Sequence, residues 1–327
     1  MVRRALSAAL CAAGFMAAIG GWAKPAAAQE WPARQVTIVV PFTAGGTTDL
    51  FARIFANAMQ AKYNQPFVVE NRGGAGGTIG AAAAAKAAND GYTLFVGTAS
   101  THAIAPFVYK RAGYDADKDF QPVSRFAIVP GMLVVSPKMP VKDFKEFVAY
   151  VKANDGKLSY GSSGVGSANH LPAEVMAKLI GAKMTHVPYR SSNEIMNAIA
   201  GGHVDMAFDN ITFAWPQAKG GTAKAMAVTT KDRSPTAPEV PAIAETYPGY
   251  DLGSWHGLFA PAGTPKPIVD KLAADAKEIF SAEDVKKKLF ELGAIASPNT
   301  PEEFTALGRS EREKYGKIVS EAGLTPQ

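Results

Sequence analysis

The residues best suited to binding chemistry form a glycine turn at positions 41–49, PFTAGGTTD. A β-branched run at 36–40 precedes the turn, and an amphipathic segment follows Asp49. This pattern predicts a buried strand, a tight turn and a helix. Glycines leave backbone N–H groups uncovered, and the start of the helix adds the positive end of its dipole. The turn is therefore suited to an anion, although Asp49 could equally serve as a helix cap.

Small polar residues follow four more predicted strands, in the loops 70–78, 98–102, 160–167 and 205–210. In open α/β sheets, ligands bind beyond the carboxyl ends of the strands, so we expect these loops to converge on one cleft. Their hydroxyl and amide groups suit carboxylate oxygens, and each hydrogen bond to a charged group contributes about 1.5–3 kcal/mol. One such loop alone could be purely structural, whereas five at successive strand ends favour binding.

The sequence lacks residues that known catalytic and cofactor-binding motifs require. Ile79 stands where a dinucleotide-binding loop needs its third glycine, and the sequence has no GxxxxGK[ST] loop. Val165 occupies the second glycine position of a nucleophile elbow. The five histidines lack the HExxH spacing, and Cys11 is the single cysteine, so zinc would have few ligands. The sequence predicts no catalytic residue, no metal and no cofactor.

Residues 1–28 are typical of a cleavable secretory signal peptide. Arg3 and Arg4 supply the positive start, and Ala26–Ala28 supplies a small-residue cleavage site near Ala28. The apolar stretch between them is short for a membrane anchor of roughly 20 residues. Cleavage removes Cys11 and three basic residues, which lowers the formal charge from +5 to +2. No basic cluster alternates with aromatic residues, so nucleic acid is not an expected partner. We predict an exported, soluble, periplasmic protein.

Short apolar runs alternate with helical patterns over most of the chain. Strands are predicted at 36–41, 67–70, 93–97, 132–136, 157–160, 184–187, 205–208 and 224–229. Helices are predicted at 78–88, at 144–151, and from near Ser167 and Ser192. This alternation predicts an α/β architecture built on largely parallel sheets.

The last 65 residues contain only helical signals. Helix starts are predicted at Thr264-Pro265, at Ser281 and at Thr300, where Glu303 completes a capping box. A helical tail after an α/β body suggests that the chain crosses to a second lobe and returns to finish on the first. The crossings are expected near 120–131 and 250–260, where no clear helical pattern appears.

Several long motifs give the chain a specific resemblance to a known family. They are VPFTAGGTTD (40–49), VENRGGAGGTIGA (69–81), YGSSGVGS (160–167), VPYR (187–190), GGHVDMAFDN (201–210) and AVTTKDRSPTAPEVPAIAET (227–246). The chain resembles the Bug-type solute receptors, the substrate-binding components of tripartite tricarboxylate transporters. The resemblance implies a two-lobed Venus-flytrap fold, each lobe a mostly parallel sheet flanked by helices. We expect lobe 1 to hold 29–126 and 251–327, and lobe 2 to hold 127–250.

The resemblance also implies where a ligand binds. In that family the first carboxylate sits on the loops matching Phe42–Thr47 and Thr98–His102, often through ordered waters. The second lobe contributes the loop matching Ser162–Ser167, with Arg190 and Asp209 nearby. The predicted ligand-binding residues are Phe42, Thr43, Ala44, Gly45, Gly46, Thr47, Asp49, Thr98, Ala99, Ser100, His102, Ser162, Ser163, Gly166, Ser167, Arg190 and Asp209. The histidines at 186, 203 and 256 are assigned to packing or to the surface.

Two departures from the family pattern bear on the ligand. Gly73 replaces a common proline, which affects turn stiffness. The segment 192–194, Ser-Asn-Glu, replaces small or proline-containing residues, and an added glutamate near the cleft disfavours a highly charged tricarboxylate. The resemblance then implies a monomeric periplasmic receptor that captures a mono- or dicarboxylate, aliphatic or aromatic, for the membrane subunits of a tripartite tricarboxylate-type transporter.

Two other functions stay open at this point. One is a secreted enzyme acting on a small carboxylated substrate, with a loop serine or His102 in a chemical role. The other is a ligand-sensing receptor that presents its closed form to a signalling partner. The same fold would serve both receptor functions.

Overall fold

The computed structural model describes residues 30–324 and 326. The predicted signal peptide, residues 1–28, lies outside the described residues, together with its basic start and its cleavage site. Every helix and strand given below falls within residues 36–322. Across the described ranges, no helix combines the length and the apolar character that crossing a membrane requires.

Six strands form the first sheet, in the order β11-β4-β10-β3-β1-β2. They are β1 (Val36–Val40), β2 (Phe67–Asn71), β3 (Thr93–Thr98), β4 (Phe120–Val129), β10 (Ser254–Pro261) and β11 (Ile295–Ala296). The helices of this group are α1 (Thr47–Tyr63), α2 (Thr78–Ala85), α3 (Ala105–Val108), α8 (Lys266–Ser281), α9 (Glu283–Glu291) and α10 (Pro301–Ala322). A 3-10 turn, Ala75–Gly77, precedes α2, and a π-helical segment, Ser100–Ile104, precedes α3. We call this sheet and its helices the first lobe.

Five strands form the second sheet, in the order β7-β6-β8-β5-β9. They are β5 (Gly131–Val135), β6 (Ser159–Ser162), β7 (Thr185–Pro188), β8 (Met206–Asn210) and β9 (Lys224–Val228). Their helices are α4 (Phe144–Ala153), α5 (Leu171–Ile180), α6 (Ser192–Gly201) and α7 (Ile211–Lys219), and a 3-10 turn spans Ile243–Glu245. We call this sheet and its helices the second lobe.

The predicted α/β fold with two lobes is confirmed, and all eight predicted strands are present. The expectation of mostly parallel sheets needs a correction, because both sheets are mixed. Parallel pairing joins β1 to β2 and β3, and β6 to β7 and β8. Antiparallel pairing joins β10 to β3 and β4, β11 to β4, and β5 to β8 and β9.

The antiparallel pairs arise largely from two strands that the sequence pattern does not reveal. β4 and β10 occupy most of the two stretches where the crossings between lobes are predicted, 120–131 and 250–260. Pro122 and Gly257 interrupt the apolar pattern of these two strands. The pairing of β10 with β4 accommodates both residues through register shifts at His256/Gly257 and Leu258/Phe259. The chain passes from the first sheet to the second at Pro130, between β4 and β5, and returns between β9 and β10. The lobe boundaries at 126/127 and 250/251 stay a prediction.

The helix starts predicted in the last 65 residues are accurate to about one residue, whereas the helix predicted from near Ser167 begins at Leu171. Thr300 and Glu303 form the expected capping box at the start of α10. Helix α8 begins at Lys266, directly after Pro265, and α9 begins at Glu283 with Ala282, not Ser281, as its N-cap residue. The tail is not entirely helical, because the two residues of β11 pair with β4.

Aromatic packing fixes helix α1 on the first sheet. Phe51 and Phe55 are fully buried, and their rings lie 6.4 Å from Phe280 and 5.4 Å from Phe126, respectively. Because the apolar face of α1 is held in this way, its first residue, Thr47, stays close to the carboxyl end of β1.

Candidate functional site

One cavity lies between the lobes, at the carboxyl ends of strands from both sheets, and its volume is about 50 Å³. The first lobe contributes residues that follow β1 and β3, together with the start of β10, which pairs antiparallel with the end of β3. The second lobe contributes residues that follow β6 and β7, together with the last two residues of β8. The predicted convergence of loops from both lobes therefore matches the position of this cavity.

Three helices begin at the wall of the cavity. Their lining residues are Gly46 and Thr47 at α1, Ser191 and Ser192 at α6, and Asn210 at α7. Neither α1 nor α7 has a side-chain hydrogen bond capping its start. The aligned peptide dipoles give these helix ends partial positive charge, which favours a negatively charged ligand.

Arg190 adds a full positive charge to the wall. Among the described residues that line the cavity, it is the one lysine or arginine. Its backbone carbonyl accepts a hydrogen bond from the Thr43 hydroxyl at 3.1 Å, and its backbone N–H donates to the Glu194 carboxylate at 3.0 Å. No ion pair engages its guanidinium within residues 30–324. The guanidinium is thus available to a carboxylate, while Glu194 stabilises the turn and does not line the cavity.

Buried polar atoms without partners concentrate at this cavity. Within the described part of the chain, four buried side-chain atoms have no hydrogen-bond partner: Thr98 Oγ1, His102 Nε2, Asp209 Oδ2 and His256 Nδ1. Thr98, Asp209 and His256 line the cavity, and each is at most 3% exposed. Burial raises the pKa of Asp209 to about 6 and lowers the pKa of His256 to about 3. Since buried polar groups in proteins are nearly always hydrogen-bonded, these atoms mark where a polar ligand would bind.

Nine of the seventeen predicted binding residues line the cavity together. They are Phe42, Thr43, Gly46, Thr47, Thr98, Ser100, Ser163, Arg190 and Asp209. The other eight, Ala44, Gly45, Asp49, Ala99, His102, Ser162, Gly166 and Ser167, lie outside its lining. Their polar side chains have other partners or other surroundings.

Asp49 stabilises the glycine turn. Its carboxylate accepts hydrogen bonds from the Gly45 N–H at 3.0 Å, from the Asn71 amide at 3.0 Å and from Arg53 Nε at 2.8 Å. Burial acts to raise the pKa of Asp49, but these hydrogen bonds together lower it. Of the two interpretations of Asp49, the geometry favours the structural one.

His102 lies in an aromatic cluster beneath the cavity wall. Its ring stacks on Phe259 at 3.9 Å, and Nδ1 bonds with the Thr101 hydroxyl at 2.9 Å. Burial, and then the charge of Arg312, lower the pKa of His102 to about 3. The ring lines a different cavity, of about 870 Å³, on the first lobe.

Ser162 and Ser167 hold their own loop in shape. The Ser162 hydroxyl bonds with His186 Nε2 at 2.6 Å, and the Ser167 hydroxyl donates to the Gly164 carbonyl at 2.6 Å. Ser163 alone among these three serines lines the cavity, where its hydroxyl accepts from the Asn169 amide at 3.1 Å.

Ser162→Ala is therefore expected to reduce stability and to leave ligand affinity unchanged. It removes the bond to His186 inside the protein, which costs about 1–3 kcal/mol of the free energy of unfolding. Urea unfolding measures this loss. Ser163→Ala is the matched control and should show the reverse, with weaker ligand binding and near-normal stability. Wild-type stability for Ser162→Ala would contradict this assignment.

Eight lining residues are absent from the predicted set. They are Thr48, Ala168, Asn169, Ser191, Ser192, Asn210, Ser254 and His256. The first six lie within two positions of a predicted residue in the sequence, near the carboxyl ends of predicted strands. Ser254 and His256 belong to β10, a strand that the sequence pattern does not predict, so no strand-end rule points to either residue. His256, assigned from sequence to packing or to the surface, is buried and contacts Phe51, yet it also lines the cavity.

The sequence matches a known protein family over most of its length. A family model described as the tripartite tricarboxylate transporter family receptor (TctC) matches residues 51–324. The chain belongs to this receptor family. The receptor is 36% identical to periplasmic binding protein BugD, whose structure has a TM-score of 0.87 and covers 91% of this chain and 100% of that one.

Two further solved structures contain acids. The R. palustris protein Rpa4515 with adipate is 38% identical to the receptor, covers 91% of this chain and 100% of that chain, and has a TM-score of 0.88. MatC from Rhodopseudomonas palustris with bound malate is 36% identical, covers 88% and 99%, and has a TM-score of 0.84. These two neighbours each contain a carboxylic acid, adipate in one and malate in the other.

Direct hydrogen bonds join the two lobes of the receptor around the cavity. Besides the Thr43–Arg190 bond, the hydroxyls of Thr47 and Thr212 lie 2.6 Å apart. The Ala168 N–H donates to Ser100 Oγ at 2.8 Å, and the Tyr109 hydroxyl donates to the Val165 carbonyl at 2.5 Å. The lobes therefore meet on several sides of the site. Among the described residues, no cluster of three or more His, Cys, Asp or Glu side chains is placed to hold a metal ion.

Proposed function

We propose that this protein is a periplasmic receptor that captures a small organic mono- or dicarboxylate, aliphatic or aromatic, in the cleft between its lobes. The strongest support is the positive character of the residues that line the cavity. An unpaired guanidinium, from Arg190, and three helix starts face one small cavity. The acids in the neighbouring structures support the same ligand class.

The proposed mechanism is differential binding. The ligand contacts both lobes and stabilises the closed arrangement, and the closed form delivers it to the membrane subunits of a tripartite tricarboxylate-type transporter. The receptor is a monomer without enzymatic activity, and a signal peptide cleaved near Ala28 exports it. The lobes keep the predicted bounds, 29–126 with 251–327 and 127–250, except that residues 127–129, which end β4, belong with the first sheet. The nine predicted residues that line the cavity make the ligand contacts.

Arg190→Gln is expected to weaken binding of carboxylates by about ten- to a hundredfold. The reason is the loss of a charge-assisted hydrogen bond that contributes about 1.5–3 kcal/mol. Isothermal titration of the mature protein, residues 29–327, with adipate, malate and shorter acids measures the effect. Arg111→Gln, an exposed arginine outside the cavity lining, is the matched control and should bind like wild type.

Two results would contradict the proposal. Unchanged affinity in Arg190→Gln would remove the assigned carboxylate contact. Mass spectrometry can detect conversion of an acid to a product. Product formation with turnover would favour an enzyme over a receptor. Pull-down of membrane partners with and without an acid distinguishes a transport role from a signalling role.

A further inference from the structure

Asp209 has a half-satisfied carboxylate at the cavity wall. The residue lies in β8, is 3% exposed and lines the cavity. Its Oδ1 accepts hydrogen bonds from the Ser192 hydroxyl at 3.0 Å and from the Asn210 N–H at 2.7 Å. Its Oδ2 is buried and has no partner within the described residues. One oxygen is thus fixed by the protein, and the other has no donor.

A carboxylate oxygen can only accept hydrogen bonds while the group is ionised. Leaving such an oxygen buried without a donor costs free energy, which is the physical basis of the raised pKa of Asp209. No lysine or arginine side chain of the described residues bonds to Oδ2 to balance it, and His256 is neutral at pH 7. A ligand that brings its own donor removes this cost, whereas a ligand that presents only carboxylate oxygens or methylene groups does not.

The remaining unpartnered atoms fit the same ligand. The Thr98 hydroxyl can donate or accept, and the neutral His256 ring can present Nδ1 as donor or acceptor, depending on its tautomer. Both groups can therefore pair with a ligand oxygen. Of the three atoms, Asp209 Oδ2 is the one that requires a hydrogen-bond donor from the ligand. The cavity volume of about 50 Å³ favours a short carbon chain over a long one.

We propose that the ligand is a short carboxylic acid that also carries a hydroxyl or ammonium group, and that this group donates a hydrogen bond to Asp209 Oδ2. The carboxylate of the same molecule meets Arg190 and the helix starts. This inference rests on the proposed receptor function. It separates donor-bearing acids, such as hydroxy acids and amino acids, from unsubstituted acids of the same length.

Matched pairs of acids test the inference by isothermal titration of the mature protein at pH 7.5. The pairs are lactate with propionate, malate with succinate, and alanine with propionate. The donor-bearing member of at least one pair is expected to bind about tenfold tighter or more, which corresponds to about 1.4 kcal/mol. Comparison of lactate with alanine distinguishes the hydroxyl source from the ammonium source.

Asp209→Asn gives the decisive comparison. The amide oxygen must replace Oδ1 to keep the bonds from Ser192 and Asn210, so the NH₂ group replaces Oδ2 and becomes a donor. The preference for the donor-bearing acid should therefore fall by about tenfold or reverse. Arg190→Gln should weaken both members of a pair and preserve their ratio. If Asp209→Asn does not fold, Ser192→Ala, which frees Asp209 Oδ1, should alter the same ratio.

The possible failures are distinguishable. If no acid binds, the proposed function itself is wrong. If acids bind with equal affinity within every pair, or if Asp209→Asn keeps the wild-type ratio, the receptor function stands and this inference is overturned.

Discussion

Acidification from pH 7 to pH 4 is expected to lower the receptor's free energy of unfolding by about 3 kcal/mol for each of three buried histidines. Burial lowers the pKa of His102 and His256 to about 3 and, with a contribution from His186, the pKa of His170 to about 4. The unfolded chain binds these protons near pH 6.5, whereas the folded protein does not. Their stabilisation is therefore complete above pH 6.5 and is lost as the pH falls below it.

The raised pKa of Asp209 acts in the opposite direction. The folded protein takes up this proton near pH 6 and the unfolded chain only near 3.8, so acidification favours the folded state by about 2 kcal/mol at this residue. The three histidines together outweigh it. Since domains of this kind are stable by about 5–15 kcal/mol, we expect most of the stability to be lost at pH 4.

His102→Gln isolates one of these contributions. Between pH 4.5 and 6, the slope of unfolding free energy against pH should fall by about 1.4 kcal/mol per pH unit, because one proton fewer is taken up on unfolding. Urea unfolding at several pH values measures the slope. Phe259→Leu, a change in the ring stacked on His102, should lower stability at every pH without changing the slope. A slope equal to wild type in His102→Gln would contradict the assignment.

The site could be predicted from sequence where it depends on chain topology. Phe42 and Ser100 lie just after strands with clear apolar runs, and Ser163 follows the short strand predicted at 157–160. The carboxyl ends of strands form ligand sites in α/β proteins. The same rule covers Asp209, at the end of the 205–210 segment, whereas Arg190 is predicted from the family resemblance through the VPYR motif. These residues could be placed without any knowledge of their neighbours.

The hydrogen-bond partners of individual side chains could not be predicted from sequence, because they depend on contacts between segments that are distant in the chain. Asp49 and Asp209 are the same residue type at similar positions. Arg53, Asn71 and Gly45 donate hydrogen bonds to Asp49, whereas one oxygen of Asp209 has no partner among the described residues. His256 was missed for a related reason. It lies in β10, whose pattern Gly257 interrupts, and antiparallel pairing with β3 brings it opposite Thr98.

Gly76→Ala is expected to weaken ligand binding by about ten- to a hundredfold, because it obstructs the contact between the lobes. Gly76 belongs to the first lobe, and a methyl group there would lie 2.7 Å from the Val165 carbonyl oxygen of the second lobe. It would also lie 2.9 Å from the Tyr109 hydroxyl, which donates to that same carbonyl. The obstructing atom is backbone, so a loop must move. Overpacking of this kind costs about 1–3 kcal/mol.

The backbone conformation of Gly76 requires a control for strain. Its φ is +63°, where any L side chain costs about 1–2 kcal/mol. Gly156→Ala has the same type of strain at φ +73°, but a methyl group there meets no atom within 4 Å. Both variants should lose similar stability without ligand, and only Gly76→Ala should lose affinity, mainly through faster ligand release. Equal affinities in the two variants would show that the loops around Gly76 and Val165 do not meet in the ligand-bound receptor.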